Sequence, residues 1–191
     1  PLLGNAEYGW SFIASENIFE ALKAAKNNVK ANPQVTSEIR LEVQKDSNSI
    51  FKGLVQPKDR FDISLCNPPF HSSAKEAEKG SLRKTRNLKD KKASVAKLNF
   101  GVQRSELCCA GGEYEFIQKM IKESESLKNK FLWYTALVSK SSNLRHFEKW
   151  LNAAQVDEIK VIEMRQGQKR SKHLCWTYLP QEKRQVWVNS R

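Results

Sequence analysis

The sequence predicts an α/β fold: a mainly parallel sheet that ends in an antiparallel hairpin. Two patterns carry this. Apolar runs with strand character alternate with stretches whose apolar residues recur at helical spacing, which is how a parallel sheet covered by helices is written. The last two runs are joined by the short basic turn Arg165-Gln166-Gly167-Gln168-Lys169-Arg170, which suits a hairpin.

The elements follow in order. Trp10 to Ser15 is a short strand that ends at Glu16. Asn17 can cap the helix that follows, in which Ile18, Leu22, Ala25 and Val29 share a face. That helix should stop before Asn32-Pro33, because the residue before proline avoids the helical region. Ile39 to Gln44 alternates as a strand does, and Ser49 to Leu54 reads as a further short strand or a turn. Phe61 to Cys66 reads as a buried strand. From Ser72 to Arg104 the character changes: ten Lys or Arg stand against Glu76, Glu78 and Asp90, with no apolar period. A basic loop of that length inside a compact domain points to function or to disorder. Gly111-Gly112-Glu113 then starts a helix with Phe116, Ile117, Met120, Ile121 and Leu127 on one side. Phe131 to Val138 is a strong strand, Leu144, Phe147, Trp150 and Leu151 mark another helix, and Val156 to Met164 and His173 to Tyr178 are the final strands.

Composition sets the bounds. With 191 residues, 39% hydrophobic and 28% charged, the chain suits a single globular domain, 1–191. No apolar run reaches the roughly 18 residues of a membrane span, and the start shows no signal peptide. It also lacks an initiator Met, so the natural start is expected upstream. Cys66, Cys108, Cys109 and Cys175 form no CxxC pair and only three histidines are present, which argues against a metal site and for a reducing, cytoplasmic setting. Cys66 and Cys175 read as small core residues. The net charge of +12 makes a polyanion, above all nucleic acid, the expected partner.

The chemistry concentrates in Asn67-Pro68-Pro69-Phe70, directly after the Phe61 strand. Ligands of open α/β sheets bind at the carboxyl ends of strands. An exocyclic adenine amine is a poor nucleophile because its lone pair is delocalised into the ring. The Asn67 side-chain carbonyl and the Pro68 backbone carbonyl can accept both amine hydrogens and favour the pyramidal, nucleophilic nitrogen. Proline at 68 and 69 stiffens the turn, and Phe70 offers a face on which an extruded base stacks. Catalysis would rest on positioning and electrostatics, without a general base. The plainer reading is a Pro-Pro turn that ends a strand. Glu16, at the end of an early strand, suits ribose hydroxyls, although a carboxylate there also suits a helix start.

Five landmarks in order carry a resemblance: Tyr8-Gly9-Trp10 to Glu16, Leu65 to His71, Leu98-Asn99-Phe100-Gly101, Gly111-Gly112-Glu113 and Arg165 to Lys169. The chain resembles the bacterial 23S rRNA adenine-N6 methyltransferases, the RlmF family, and the related U6 snRNA adenine-N6 methyltransferase of animals. The resemblance implies a class I fold dependent on S-adenosyl-L-methionine, and 23S rRNA or an assembling large subunit as substrate of a monomer. It places Glu16 on the cofactor ribose, Gln44 and Lys45 near the cofactor adenine, and Asn67, Pro68, Pro69 and Phe70 around the target adenine, with Asn67 also beside the cofactor. It matches Ser139-Lys140-Ser141 to a basic loop near the cofactor, and it implies a structural role near the target pocket for Gly111-Gly112-Glu113, which by residue type could be only a helix start. Lys84, Arg86, Lys89, Lys140, Lys169 and Arg170 are the expected RNA contacts. The family carries a first strand and a glycine-rich Asp-Ile-Gly-x-Gly loop ahead of the segment that begins here at Pro1. The expectation is therefore a chain without that central strand, which binds cofactor weakly or exposes a sheet edge. Two other functions fit the motif: protein glutamine N5-methylation, whose enzymes usually carry tyrosine where Phe70 stands, and a non-catalytic RNA-binding module.

Overall fold

In a computed structural model, residues 1–70, 109–167 and 169–190 are described. The basic stretch from Ser72 to Arg104 lies outside them, as do His71 and Cys108. The chain divides into two compact units, Pro1–Asp59 and Arg60–Arg191.

The first unit is built on two parallel strands, β1 (Phe12–Glu16) and β2 (Ile39–Val43), in the register Phe12 to Ile39 and Glu16 to Val43. Helix α1 (Leu2–Tyr8) precedes them and ends on Gly9 in the left-handed region, φ 66°. Gly4 in α1 is needed for packing: a Cβ there would sit 2.6 Å from the ring of Phe12. Helix α2 (Phe19–Lys30) joins the strands, buries Leu22 and stops ahead of Pro33, as expected. Ser49 to Leu54 is a turn, closed by Ser49 N–H to Asp46 O and Leu54 N–H to Phe51 O.

The second unit holds four strands in the order β3 (Phe61–Ser64), β4 (Phe131–Val138), β6 (Lys169–Thr177), β5 (Glu158–Gln166). β3 and β4 are parallel, and β6 runs antiparallel to both β4 and β5. The expected hairpin is present and longer than expected. Its strands run in to Gln166 and Lys169, with Gly167 in the turn at φ 60°. Helices α3 (Gly112–Ser124) and α4 (Leu144–Ala153) complete the core. It contains Ile117, Met120 and Ile121 of α3, Phe147 and Leu151 of α4, and Tyr134, Ala136, Val138, Leu174 and Trp176 of the sheet, all 2% exposed or less. Tyr134 stacks on Trp176 at 5.4 Å. Trp176 Nε1–H donates to Ser124 Oγ at 3.1 Å, and that hydroxyl also bonds Tyr178 OH at 2.9 Å. A last helix, α5 (Gln181–Asn189), packs Trp187 against Leu132 and Leu179.

Several expectations need correction. Asn17 does not cap α2: Ile18 is the N-cap residue and no side chain caps the helix. The local N–H groups of Asn17 and Ile18 are taken by Glu16 Oε1, at 2.8 and 3.0 Å. The Phe61 strand is not a buried one. Ile63 is 42% and Leu65 59% exposed, because β3 pairs with β4 alone among the described residues. Cys66 lies beyond the strand and is half-buried, whereas Cys175 is buried. Helices α1 and α5 had no sequence signal. α1 buries nothing, and α5 is held by tertiary contacts. Arg184 pairs with Asp157 and Glu158, Trp187 donates to Asp62 at 2.8 Å, and Arg60 lies 4.0 Å over the Trp187 ring. Among the described residues no helix is long and apolar enough to cross a membrane, and no group of three or more His, Cys, Asp or Glu could hold a metal ion.

Candidate active site

The second unit gathers its chemistry at one sheet edge. β3 and β4 are parallel, so Cys66–Phe70 and Ser139-Lys140 leave the sheet at the same end. β6 is antiparallel and pairs Lys172 with Val138, so the basic hairpin turn projects past that end too. The connection is tight. Thr135 N–H donates to Ser64 Oγ at 3.1 Å, Thr135 Oγ1–H donates to Ser64 O at 2.6 Å, and Leu137 N–H reaches Cys66 O at 2.9 Å. β3 is thus pinned to β4 up to the residue before Asn67.

Asn67 is exposed, Pro68 is buried, and Pro69 and Phe70 are half-buried. Among the described residues no peptide bond is cis. The prolines anchor the segment while the amide faces out, and Asn67 makes no hydrogen bond among the described residues. An exposed carboxamide on a stiff, anchored turn is available to a planar amine. Burial pushes the neighbouring Cys66 thiol up to about 12, so at neutral pH it is a proton-bearing wall, a poor nucleophile towards an electrophilic methyl group. The folded chain keeps that proton between about pH 9 and 12, where an unfolded chain has lost it. Stability therefore falls as pH rises through this window, by at most about 1.4 kcal/mol per pH unit for one group. Tyr134, Tyr178 and Cys175 are shifted upward by burial as well and act in the same sense. Urea titrations at pH 8 and pH 11 are expected to show this loss, and Cys66→Ala is expected to lessen it; an unchanged pH slope in the variant would remove Cys66 as a contributor.

In the first unit, Glu16 and Gln44 stand together at the carboxyl ends of β1 and β2, where Gln44 N–H donates to Glu16 O at 2.9 Å. Glu16 is half-buried. Its Oε1 serves the start of α2, and Oε2 carries no hydrogen bond among the described residues. The Gln44 side chain is held by its own loop: its Nε2 donates to Lys52 O at 3.1 Å and its Oε1 accepts from Asp46 N–H at 3.1 Å. Lys45 beside it is exposed.

Of the expected RNA contacts, Lys140 and Arg170 are exposed at the same sheet edge as Asn67. Lys169 opens β6 opposite Gln166. Lys84, Arg86 and Lys89 lie outside the described residues. Glu113 has partners that its residue type does not announce. It is 2% exposed and accepts hydrogen bonds from Ser139 N–H at 2.6 Å, the Ser139 hydroxyl, Lys140 N–H at 3.3 Å and Asn143 Nδ2–H at 3.1 Å. A helix-start carboxylate gives no local sign that it will be buried under a loop 26 residues later.

A family model described as RNA methyltransferase matches residues 1–180. The chain belongs to this RNA methyltransferase family. Among its curated relatives, this family member is 45% identical over 193 residues to the ribosomal RNA large subunit methyltransferase F of Ectopseudomonas mendocina (strain ymp), covering 100% of this chain and 58% of that protein. It is 44% identical over 178 residues to the protein of the same name from Bacteroides fragilis (strain YCH46), covering 93% and 58%. The chain thus spans little more than half the length of these relatives. Among solved structures, the human METTL16 catalytic domain in complex with the MAT2A 3′UTR hairpin 1 aligns with a TM-score of 0.77 at 25% identity, over 95% of this chain and 60% of that one. The N-terminal domain of human METTL16 in complex with SAH aligns with a TM-score of 0.67 at 23% identity, over 94% and 56%. The fold of this RNA methyltransferase family member is that of a class I methyltransferase.

Proposed function

We propose that the protein carrying this chain is an S-adenosyl-L-methionine-dependent methyltransferase that modifies N6 of a specific adenine in 23S rRNA. The observation that carries this reading is the exposed amide of Asn67 on the buried Pro68 anchor, at the carboxyl end of β3, in a chain of the RNA methyltransferase family. The relatives named for large-subunit rRNA support the substrate, and the net charge of +12 supports a polyanion.

In this mechanism the Asn67 side-chain carbonyl and the Pro68 backbone carbonyl accept the two amine hydrogens of the flipped adenine. Its nitrogen lone pair is thereby freed from the ring and aimed outward. Phe70 stacks on the base, and the prolines keep the acceptors in place so that little ordering entropy is lost on binding. The protonated Cys66 does not compete for the methyl group. Bound S-adenosyl-L-methionine supplies that group on an electrophilic sulfonium. The half-buried Glu16, with Oε2 available, fits a pair of ribose hydroxyls. Gln44 is committed to its loop, which leaves Lys45 as the residue of that pair able to turn to a ligand. Lys84, Arg86, Lys89, Lys140, Lys169 and Arg170 neutralise phosphates. The reading takes residues 1–191 as one methyltransferase domain, acting as a cytoplasmic monomer on naked rRNA or an assembling subunit.

Glutamine methylation of a protein is the second reading that the Asn-Pro-Pro-aromatic motif permits. Phenylalanine at position 70 and the basic charge favour RNA. The test is to incubate the full-length protein with labelled methyl donor and either 23S rRNA or a release factor. Label is expected in the rRNA as N6-methyladenine; label in the release factor instead would replace the proposal with the second reading.

A further inference from the structure

Glu113 makes a set of contacts that a helix-start carboxylate does not need. Glu115, in the same first turn of α3, is exposed and already offers negative charge to the helix N-terminus. Glu113 is instead buried, 2% exposed, with no Lys or Arg paired to it among the described residues. A buried carboxylate without a cation is costly unless hydrogen bonds replace its lost water. Among the described residues all of its donors come from one segment, Ser139 to Asn143. Oε2 takes the backbone N–H and hydroxyl of Ser139. Oε1 takes the Lys140 N–H and the Asn143 side chain, and Asn143 is the N-cap residue of α4.

The chain is shaped to deliver this side chain. Gly111 and Gly112 are both left-handed, at φ 73° and 62°. A Cβ on Gly111 would lie 1.9 Å from Glu115 Cγ, so the turn into α3 accepts only glycine there. The segment that Glu113 holds is the exit of β4. Two residues earlier, Leu137 N–H is bonded to Cys66 O, the residue before Asn67. The clamp therefore fixes the loop next to the amine-binding turn.

We propose that Glu113 is a positioning residue for methyl transfer, which holds the Ser139–Asn143 loop, and Lys140 with it, against the RNA at the edge that carries Asn67. This rests on the function proposed above. It goes further in assigning the placement of the RNA contact to a carboxylate that touches no substrate.

The test uses the full-length protein and steady-state methylation of 23S rRNA. Glu113→Gln keeps size and shape but turns an N–H group toward donors. It is expected to lower kcat/KM for RNA by roughly tenfold to a hundredfold, at a temperature where circular dichroism shows the variant folded. Lys140→Ala is expected to lower kcat/KM as well, and the two changes combined should be no worse than the more damaging one alone, because both act through the same loop. Ser124→Ala, which removes a buried hydroxyl at the other end of α3, should leave kcat/KM unchanged in the folded protein. Wild-type kcat/KM in Glu113→Gln, full multiplication of the two effects, or an equal loss in Ser124→Ala would each overturn the proposal. Should Glu113→Gln not fold, Ser139→Ala replaces it in the cycle with Lys140→Ala under the same criteria. If Asn67→Ala methylates normally, the function itself is lost; if Asn67→Ala is inactive and Glu113→Gln is normal, only the positioning role is lost.

Discussion

Asn67→Ala in the full-length protein is expected to lower methyl transfer by about a hundredfold to a thousandfold while RNA affinity stays within about twofold. The size follows from the usual effect of deleting one preorganised polar group at a reacting centre, about 3 to 4 kcal/mol of transition-state stabilisation. The direction follows from the geometry. Asn67 is exposed and makes no hydrogen bond among the described residues, so its removal leaves no buried partner among them unsatisfied. In the proposed mechanism its carbonyl acts only when the amine is in place. Because the proposed phosphate contacts are other residues, a filter-binding or fluorescence measurement with RNA should barely change. Near-normal methylation by Asn67→Ala would end the amine-positioning mechanism and leave the RNA-binding module as the surviving reading.

The largest stability effect is expected at Trp176. Trp176→Ala should cost about 3 to 5 kcal/mol, the range for removing a fully buried large aromatic. The residue has no exposed surface, stacks on Tyr134 at 13°, and closes the hydrogen bonds of Ser124 and Tyr178 that tie the end of α3 to β6. Truncation would remove packing and disconnect that polar group at once. Trp176→Phe should retain most of the packing and lose about 1 kcal/mol with the indole N–H. Urea denaturation followed by near-ultraviolet circular dichroism separates the variants. A loss below about 1 kcal/mol in Trp176→Ala would show that this stack does not hold the second unit together.

The limits of the sequence are visible in particular residues. Phe131–Val138 was readable because a strand buried along its length is a continuous apolar run. The basic turn between two apolar runs was readable as a hairpin. Helix α5 was not, since its nine residues carry one buried side chain, Trp187, and its stability comes from Asp62, Asp157 and Glu158, which lie elsewhere in the chain. Asn17 has a residue type that suits a helix cap. Glu16 reaches the same N–H groups first, a competition between neighbours that residue type cannot rank. For Glu113 the resemblance implies a structural role near the target pocket, but the residues alone do not show its partners. The pair of glycines ahead of it announces a turn, but the four donors that define its role come from a loop 26 to 30 residues away.

The sequence by itself determined the α/β class, the antiparallel hairpin and the stiff Asn67–Phe70 turn that follows the Phe61 strand. All of these are written in local periodicity or in adjacent residues whose chemistry depends on their own covalent structure. The tertiary structure decided which groups stand at the edge with that turn. The parallel pairing of β3 with β4 brings Ser139 and Lys140 there, and the antiparallel pairing of β6 brings the hairpin. Burial of Glu113 then fixes the loop between them. Those outcomes depend on hydrogen bonds between distant segments and on which carboxylate loses its water, and no window of sequence contains both partners.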